Sequence, residues 1–226
     1  MTASGEKIKL SRFAYLLSSP RLLSRRTKTS PGTWLRHRDW FGYVDASRPG
    51  GINRLELGSL PARNYQTFEF SIGLTQATDE ADPSQYAATH PLNPNYNNLH
   101  WTPQGGYIFL AAEGHLFDNR TTDGFAYHLG KPRNRVVISL PIDLNLDTPA
   151  VLEIDVHVDR IFGGALPLEI GLNPSTHSRR DDPVARQLKH RLSDAFTLRG
   201  VRKAQRSTAS EFSSRTPLVG TPYRFE

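Results

Sequence analysis

The chain has 226 residues and no cysteine, which suits one large domain or one domain with extensions and excludes disulfides, thiolate ligands and thiol nucleophiles together. Apolar residues make up 37% of it, enough for a modest core, but no run approaches the roughly 18–20 apolar residues that cross a bilayer. The net charge of +6 is uneven: nine Lys/Arg against one Glu over 1–38 give +8, eight against sixteen acidic residues over 39–175 give −8, and eleven against five over 176–226 give +6.

MTASGEKIKL lacks the apolar stretch of a signal peptide. Lys7–Leu17 then reads as a first strand, with Trp34 and Trp40 expected in the core beyond it. In Tyr65–Thr75 one face carries Phe68, Phe70, Ile72 and Leu74, the other Thr67, Glu69 and Ser71. Gly105–Leu116 and Phe125–Leu129 are further strands. Arg135–Leu146 alternates through Val136, Ile138 and Leu140, and Val151–Asp159 through Leu152, Ile154, Val156 and Val158. Period-two runs separated by Gly, Pro and Asn predict a mainly β fold, an antiparallel β-sandwich. One C-terminal helix is predicted: Asp182 caps it, Pro183 takes the first helical position, and Val184, Leu188 and Leu192 form a stripe closed by Ala195 and Phe196. The domain is expected over 1–197. Residues 198–226 are basic, Ser/Thr-rich and aperiodic and read as a tail or linker. Both ends suggest that further chain is missing, with an upstream segment able to carry a signal peptide.

No helix-turn-helix, RNP, KH or zinc-finger pattern accompanies the basic ends, so they read as solvated surface rather than as a nucleic-acid site. Hydrolytic chemistry has no GxSxG, no cysteine and no phosphate-cradling glycine loop behind it, and Ser178 beside His177 makes no triad. The chain therefore does not read as an enzyme. Eight histidines offer imidazole, the commonest protein ligand for copper and zinc. They lack the spacing of a helical zinc motif, so any site must be assembled by the fold. His100 precedes Trp101 at the entry to a strand, His128 sits in YHLG, and His90 opens the HPLNP turn. His177 lies before the helix, where it is also a candidate cap. His157 shares a strand face with Asp155 and Asp159, and His190 and His37 are assigned to the surface. Glu113, ending an apolar run, is expected half-buried, either salt-bridged or holding a histidine ring.

FAYLLSSPRLL, YQTFEFSIGL, HPLNPNYNNLHW, QGGYIFLAAEG, FAYHLG and STHSRRDDPVARQL stand in the order found in MbnP-like proteins, the methanobactin-associated periplasmic copper-binding family. The resemblance runs from about Lys7 to Phe196. Its most specific part is the W…GGY.FL..EG block followed by YH.G. It implies a non-catalytic copper-binding protein of the bacterial envelope, periplasmic, and a partner of the di-haem cytochrome c peroxidase class (MbnH-type). It also implies a tryptophan oxidised to kynurenine by that partner, which completes a histidine site. Trp101 is the matching tryptophan. His100 and His128 are the first candidate copper ligands, His90 and His177 the more weakly matching ones, with Glu113 and Tyr107 behind them. Many relatives carry a second tryptophan two residues on, where this chain has Pro103. The closing TPYRFE faintly resembles the start of di-haem peroxidases, as a truncated fusion would. The rival reading is a carbohydrate- or protein-binding β-sandwich module that uses Trp101, Tyr107, Tyr96 and its many Asn side chains without metal. A degenerate copy that keeps the fold after losing the site is a third.

Overall fold

The computed structural model describes residues 7–47, 53–101, 105–117, 124–163 and 168–204. The run FAYLL, apolar at every position, must be buried on both faces, and a long central strand provides that. Strand β1 (Lys7–Ser24) is followed by β2 (Trp34–Arg36), β3 (Phe41–Asp45) and β4 (Asn64–Ile72). After the short helices α1 (Gln76–Asp79) and α2 (Pro94–Asn97) come β5 (Ile108–Phe117), β6 (Gly124–Gly130), β7 (Val136–Asn145) and β8 (Ala150–Val156). Then follow α3 (Val158–Phe162), β9 (Ser175–Thr176), α4 (Pro183–Leu192) and β10 (Phe196–Lys203).

The eight-stranded sheet runs β7-β4-β1-β5-β6-β9, with β2 and β3 also on β1. Ala14 and Tyr15 pair with both β3 and β5, and Leu17 and Ser18 with both β3 and β4. Hence β5 and β4 follow one another along one edge of β1. The handover falls at Leu16, and register with β4 is then lost between Ser18 and Arg21. Ser19 there has φ 52, and Pro20 has no N–H to give the ladder. Strands β8 and β10 form a separate antiparallel pair.

Two apolar clusters sit on opposite faces of the central strands. The larger holds Phe13, Tyr15, Leu17, Leu110, Ala112 and Tyr127 and is shared with Leu188 and Leu192 of α4. The smaller holds Ala14, Leu16, Phe109 and Ala111, covered by Leu74, Leu92, Leu99 and Tyr107. The connection from β4 to β5 is thus the lid of the second face. Its asparagines build it: Asn93 caps α2 by accepting from Asn95 N–H at 2.9 Å, and the buried Asn97 donates to Pro91 O and accepts from Leu99 N–H, each at 2.6 Å.

The mainly β class is observed, with differences. The sheet is mixed, because β9 joins β6 in parallel; the segment reaches that edge after a crossover rather than a hairpin. Asp182 accepts from Val184 and Ala185 N–H as the cap of α4, with Pro183 first in the helix, as predicted. It is not the only helix, since α1, α2 and α3 are also present. The stripe ends at Leu192, and Phe196 opens β10 instead. Residues Leu198–Lys203, read as tail, belong to that strand, where pairing with β8 and the Arg199–Asp155 and Arg202–Glu153 ion pairs override an unhelpful local sequence. Residues 205–226 lie outside the described residues. Strand β8 stops at Val156; Asp159 is in α3, and His157 precedes it, 2.7 Å from Thr197 Oγ1. Trp40 is in the core, while Trp34 is half-buried under Arg21, 4.3 Å from the guanidinium. His37, assigned to the surface, is 4% exposed, beside Leu22, Leu35, Leu57 and Leu60.

Candidate functional site

Directly paired residues on neighbouring strands point the same way, and so do residues two apart. His128 on β6 pairs with Ala111 on β5. It therefore shares the second face with Glu113, and with the position of Gly130. Glu113 is half-buried and occupied on both sides. Its Oε1 lies 2.9 Å from His128 Nε2 and 3.2 Å from Arg12 Nη1. A carboxylate accepts, so Nε2 carries the proton and Nδ1 is the His128 nitrogen left for a ligand.

Gly130 seats the indole. A Cβ at Gly130 would stand 2.5 Å from Cη2 of Trp101, so the ring occupies the space of the missing side chain. It lies on the same face as His128, two residues along β6. Lys131 closes the other side, its Nζ 5.1 Å from the ring centroid and 3.2 Å from Gly105 O. The Trp101 backbone N–H donates to Gly106 O at 3.0 Å, and Gly105 N–H to Trp101 O at 2.8 Å, which ties the turn back on itself.

Ser178 brings in the second histidine. At φ 54, its Oγ accepts from Gly130 N–H at 2.9 Å and donates to His128 O at 3.0 Å, substituting for a neighbouring strand. The exposed His177 ring then sits 5.5 Å from that of His128. His177 does not cap α4; Asp182 does.

His100 belongs to an adjoining open cleft of about 670 Å³ with Asp79, Glu80, Lys131 and Arg133. It bridges to Tyr107, their rings 5.0 Å apart edge to face. Burial lowers the His100 pKa, Asp79 opposes that shift, and Lys131 adds to it. Asp79 is itself buried and its pKa raised by that burial, against the pull of the Tyr107 N–H it accepts at 2.7 Å and of Lys131. His90 stands apart. Its ring stacks on Tyr86 at 4.5 Å, and its Nδ1 accepts from Leu92 N–H at 3.1 Å. Burial lowers its pKa, consistent with a neutral ring that stays an acceptor.

The geometry therefore brings His128 to Glu113 and His177 and seats Trp101 at Gly130, two residues along the same face, with His100 in the neighbouring cleft and His90 under the loop. Among the described residues no three His, Asp or Glu side chains converge as a metal-binding group. Pro103 lies outside the described residues. Tyr107 is fully buried, with its hydroxyl donating to Leu92 O at 2.7 Å, so it offers no exposed ring for stacking. Asn93 and Asn97 are spent within the loop. These two facts take Tyr107, Asn93 and Asn97 from the metal-free binding module, while Trp101 and Tyr96 stay partly exposed and Asn95 and Asn98 exposed. The sequence reading missed Arg12, Gly130, Lys131 and Asp79. A charge directly before the apolar run FAYLL was the available signal for Arg12.

A mainly β protein with paired imidazoles and a seated tryptophan on one sheet face is the class these features define. The MbnP family model matches residues 1–178, and the chain belongs to the MbnP family. Membership is consistent with a methanobactin-associated, copper-related role, and the family is associated with the periplasm in general. Neither the search of curated proteins nor that of solved structures gave a significant match. No described helix is long and apolar enough to cross a membrane.

Proposed function

We propose that the chain is a copper-binding protein of the bacterial envelope, without catalysis of its own, acting in copper acquisition or handling. His128 and His177 would hold the metal, and Trp101 would complete the site after oxidation to kynurenine by a di-haem partner of the cytochrome c peroxidase class. The observation that carries this reading is the 5.5 Å approach of the two imidazoles beside the indole seated on Gly130. The donor set fits copper, which accepts imidazole and other N/O ligands without thiolate. Two imidazoles alone leave the site short of donors, and intact indole offers only an N–H. Kynurenine adds an aniline nitrogen and a ketone at that place. Bound copper would supply a redox-active, soft cation suited to transfer between carriers. Glu113 would orient His128 from behind, as carboxylates do for metal-bound imidazoles.

Competition against a chelator, following Cu(I) and Cu(II) separately, tests this. The expected result is one copper per chain, with His128→Ala and His177→Ala each weakening binding by at least about tenfold. His90→Ala should leave affinity near wild type once folding is matched. Unchanged affinity in both His128→Ala and His177→Ala would overturn the proposal.

A further inference from the structure

The alternation of β1 changes phase at Ser11. Ile8 and Leu10 pack on the main cluster, and so do Phe13, Tyr15 and Leu17; even positions give way to odd. Pairing with β5 slips at the same point, where Leu10 faces Gly114 and Arg12 faces Glu113. Ser11 is thus one extra residue in β1, a bulge that re-aims the side chains beyond it. Gly114 makes room, since a Cβ there would collide with the Lys9 carbonyl. Without the bulge Arg12 would point into the main core. With it, Arg12 joins Ala14 and Leu16 on the face of Glu113 and His128.

There its guanidinium reaches in two directions. Nη1 donates to Glu113 Oε1 at 3.2 Å, the oxygen that also takes His128 Nε2. Nη2 donates to Asn97 O at 3.2 Å and Asn98 O at 2.9 Å. These carbonyls end α2, where Asn98 at φ 52 turns the chain towards His100 and Trp101. The planar fork of arginine suits this double role, whereas a lysine is a single point donor.

We infer that Arg12 is a positioning residue that holds the Trp101 loop and the His128 ring in one register, with Glu113 keeping the proton on Nε2 so that Nδ1 is the ligating nitrogen. Only the copper readout of its test rests on the proposed function; the other two concern the metal-free chain.

The test compares the full wild-type chain with Arg12→Met, Arg12→Lys and Glu113→Gln. Nitrogen NMR of the imidazoles at about pH 8, where histidines are neutral, reads the His128 tautomer. Amide exchange at Asn98 and Leu99, whose N–H groups bond to Pro94 O and Asn97 Oδ1, reads the loop. Wild type should show the Nε2–H tautomer and protected amides. Arg12→Met should speed exchange at both amides about tenfold or more and weaken copper binding about 10–100-fold, the range for groups behind a ligand. Arg12→Lys should recover only one arm, either the tautomer or the protection. Glu113→Gln should lose the tautomer preference while the loop stays protected. Wild-type tautomer and exchange rates in both Arg12 variants would overturn the inference, and if Arg12→Met does not fold, Arg12→Lys alone decides it. A chain that binds no copper yet shows these shifts would sink the copper reading and leave Arg12 its role. Tight copper binding by a chain whose Arg12 variants keep the wild-type tautomer and exchange rates would do the reverse.

Discussion

Gly130 is the residue on which the candidate site turns, because its missing side chain is the seat of Trp101. Adding one methyl group would meet the indole at 2.5 Å and the Tyr107 carbonyl at 2.6 Å, and the ring can yield where the backbone cannot. Gly130→Ala should therefore push Trp101 outward, seen as stronger acrylamide quenching of its fluorescence; unchanged quenching would show that the ring is held elsewhere. His37 illustrates the opposite case, a residue whose chemistry is silent until it is charged. Burial lowers its pKa below 6.5, with Asp39 only partly opposing. The folded chain then binds fewer protons than the unfolded chain near that pH. Its contribution is present above pH 6.5 and is lost as pH falls towards the folded value. Urea midpoints should drop between about pH 7.5 and 5.5, and His37→Gln should flatten part of that drop. An identical slope in the variant would remove His37 as a cause.

At the scale of elements, the β4–β5 connection is a packed lid rather than a loose loop. Leu92 and Leu99 are fully buried beneath it, a burial of about 1.5–3 kcal/mol each. The Arg12–Glu113 pair is only 21% and 30% exposed, and desolvation offsets much of its attraction, so its value lies in orientation. Tyr107→Phe removes the donor to Leu92 O and leaves that carbonyl buried without it. It should destabilise the chain by about 1–3 kcal/mol, measured by chemical denaturation, and a neutral effect would mean that water reaches the carbonyl. These elements also show what sequence can and cannot convey. Alternation located Phe68–Ile72 and Val136–Leu140 because each strand turns one face to the core. The Asp182–Pro183 start of α4 was legible because capping is local chemistry. The bulge at Ser11 was not, since it shows only against the register of β5, a partner distant in the chain. Nor was the pairing of His128 with His177 rather than His100, which depends on the parallel β6–β9 contact and on Ser178 at positive φ.

For the molecule as a whole, the sheet divides its labour between two faces. The main cluster with α4 gives the fold its stability. The second face, re-aimed at Ser11 and covered by the asparagine-rich lid, gathers an arginine, a carboxylate, an imidazole and an indole near an edge where His177 arrives from another part of the chain. Such gathering on rigid strands is how a site acquires geometry that loops alone do not supply. X-ray absorption at the copper edge of the copper-loaded chain, with the state of Trp101 established by mass, tests this most directly. The expected spectrum has two imidazole shells, one of them lost in His128→Ala, and a further N/O donor only when Trp101 is oxidised. A spectrum with three or more imidazoles, or one unchanged in His128→Ala, would contradict a copper site built on this face.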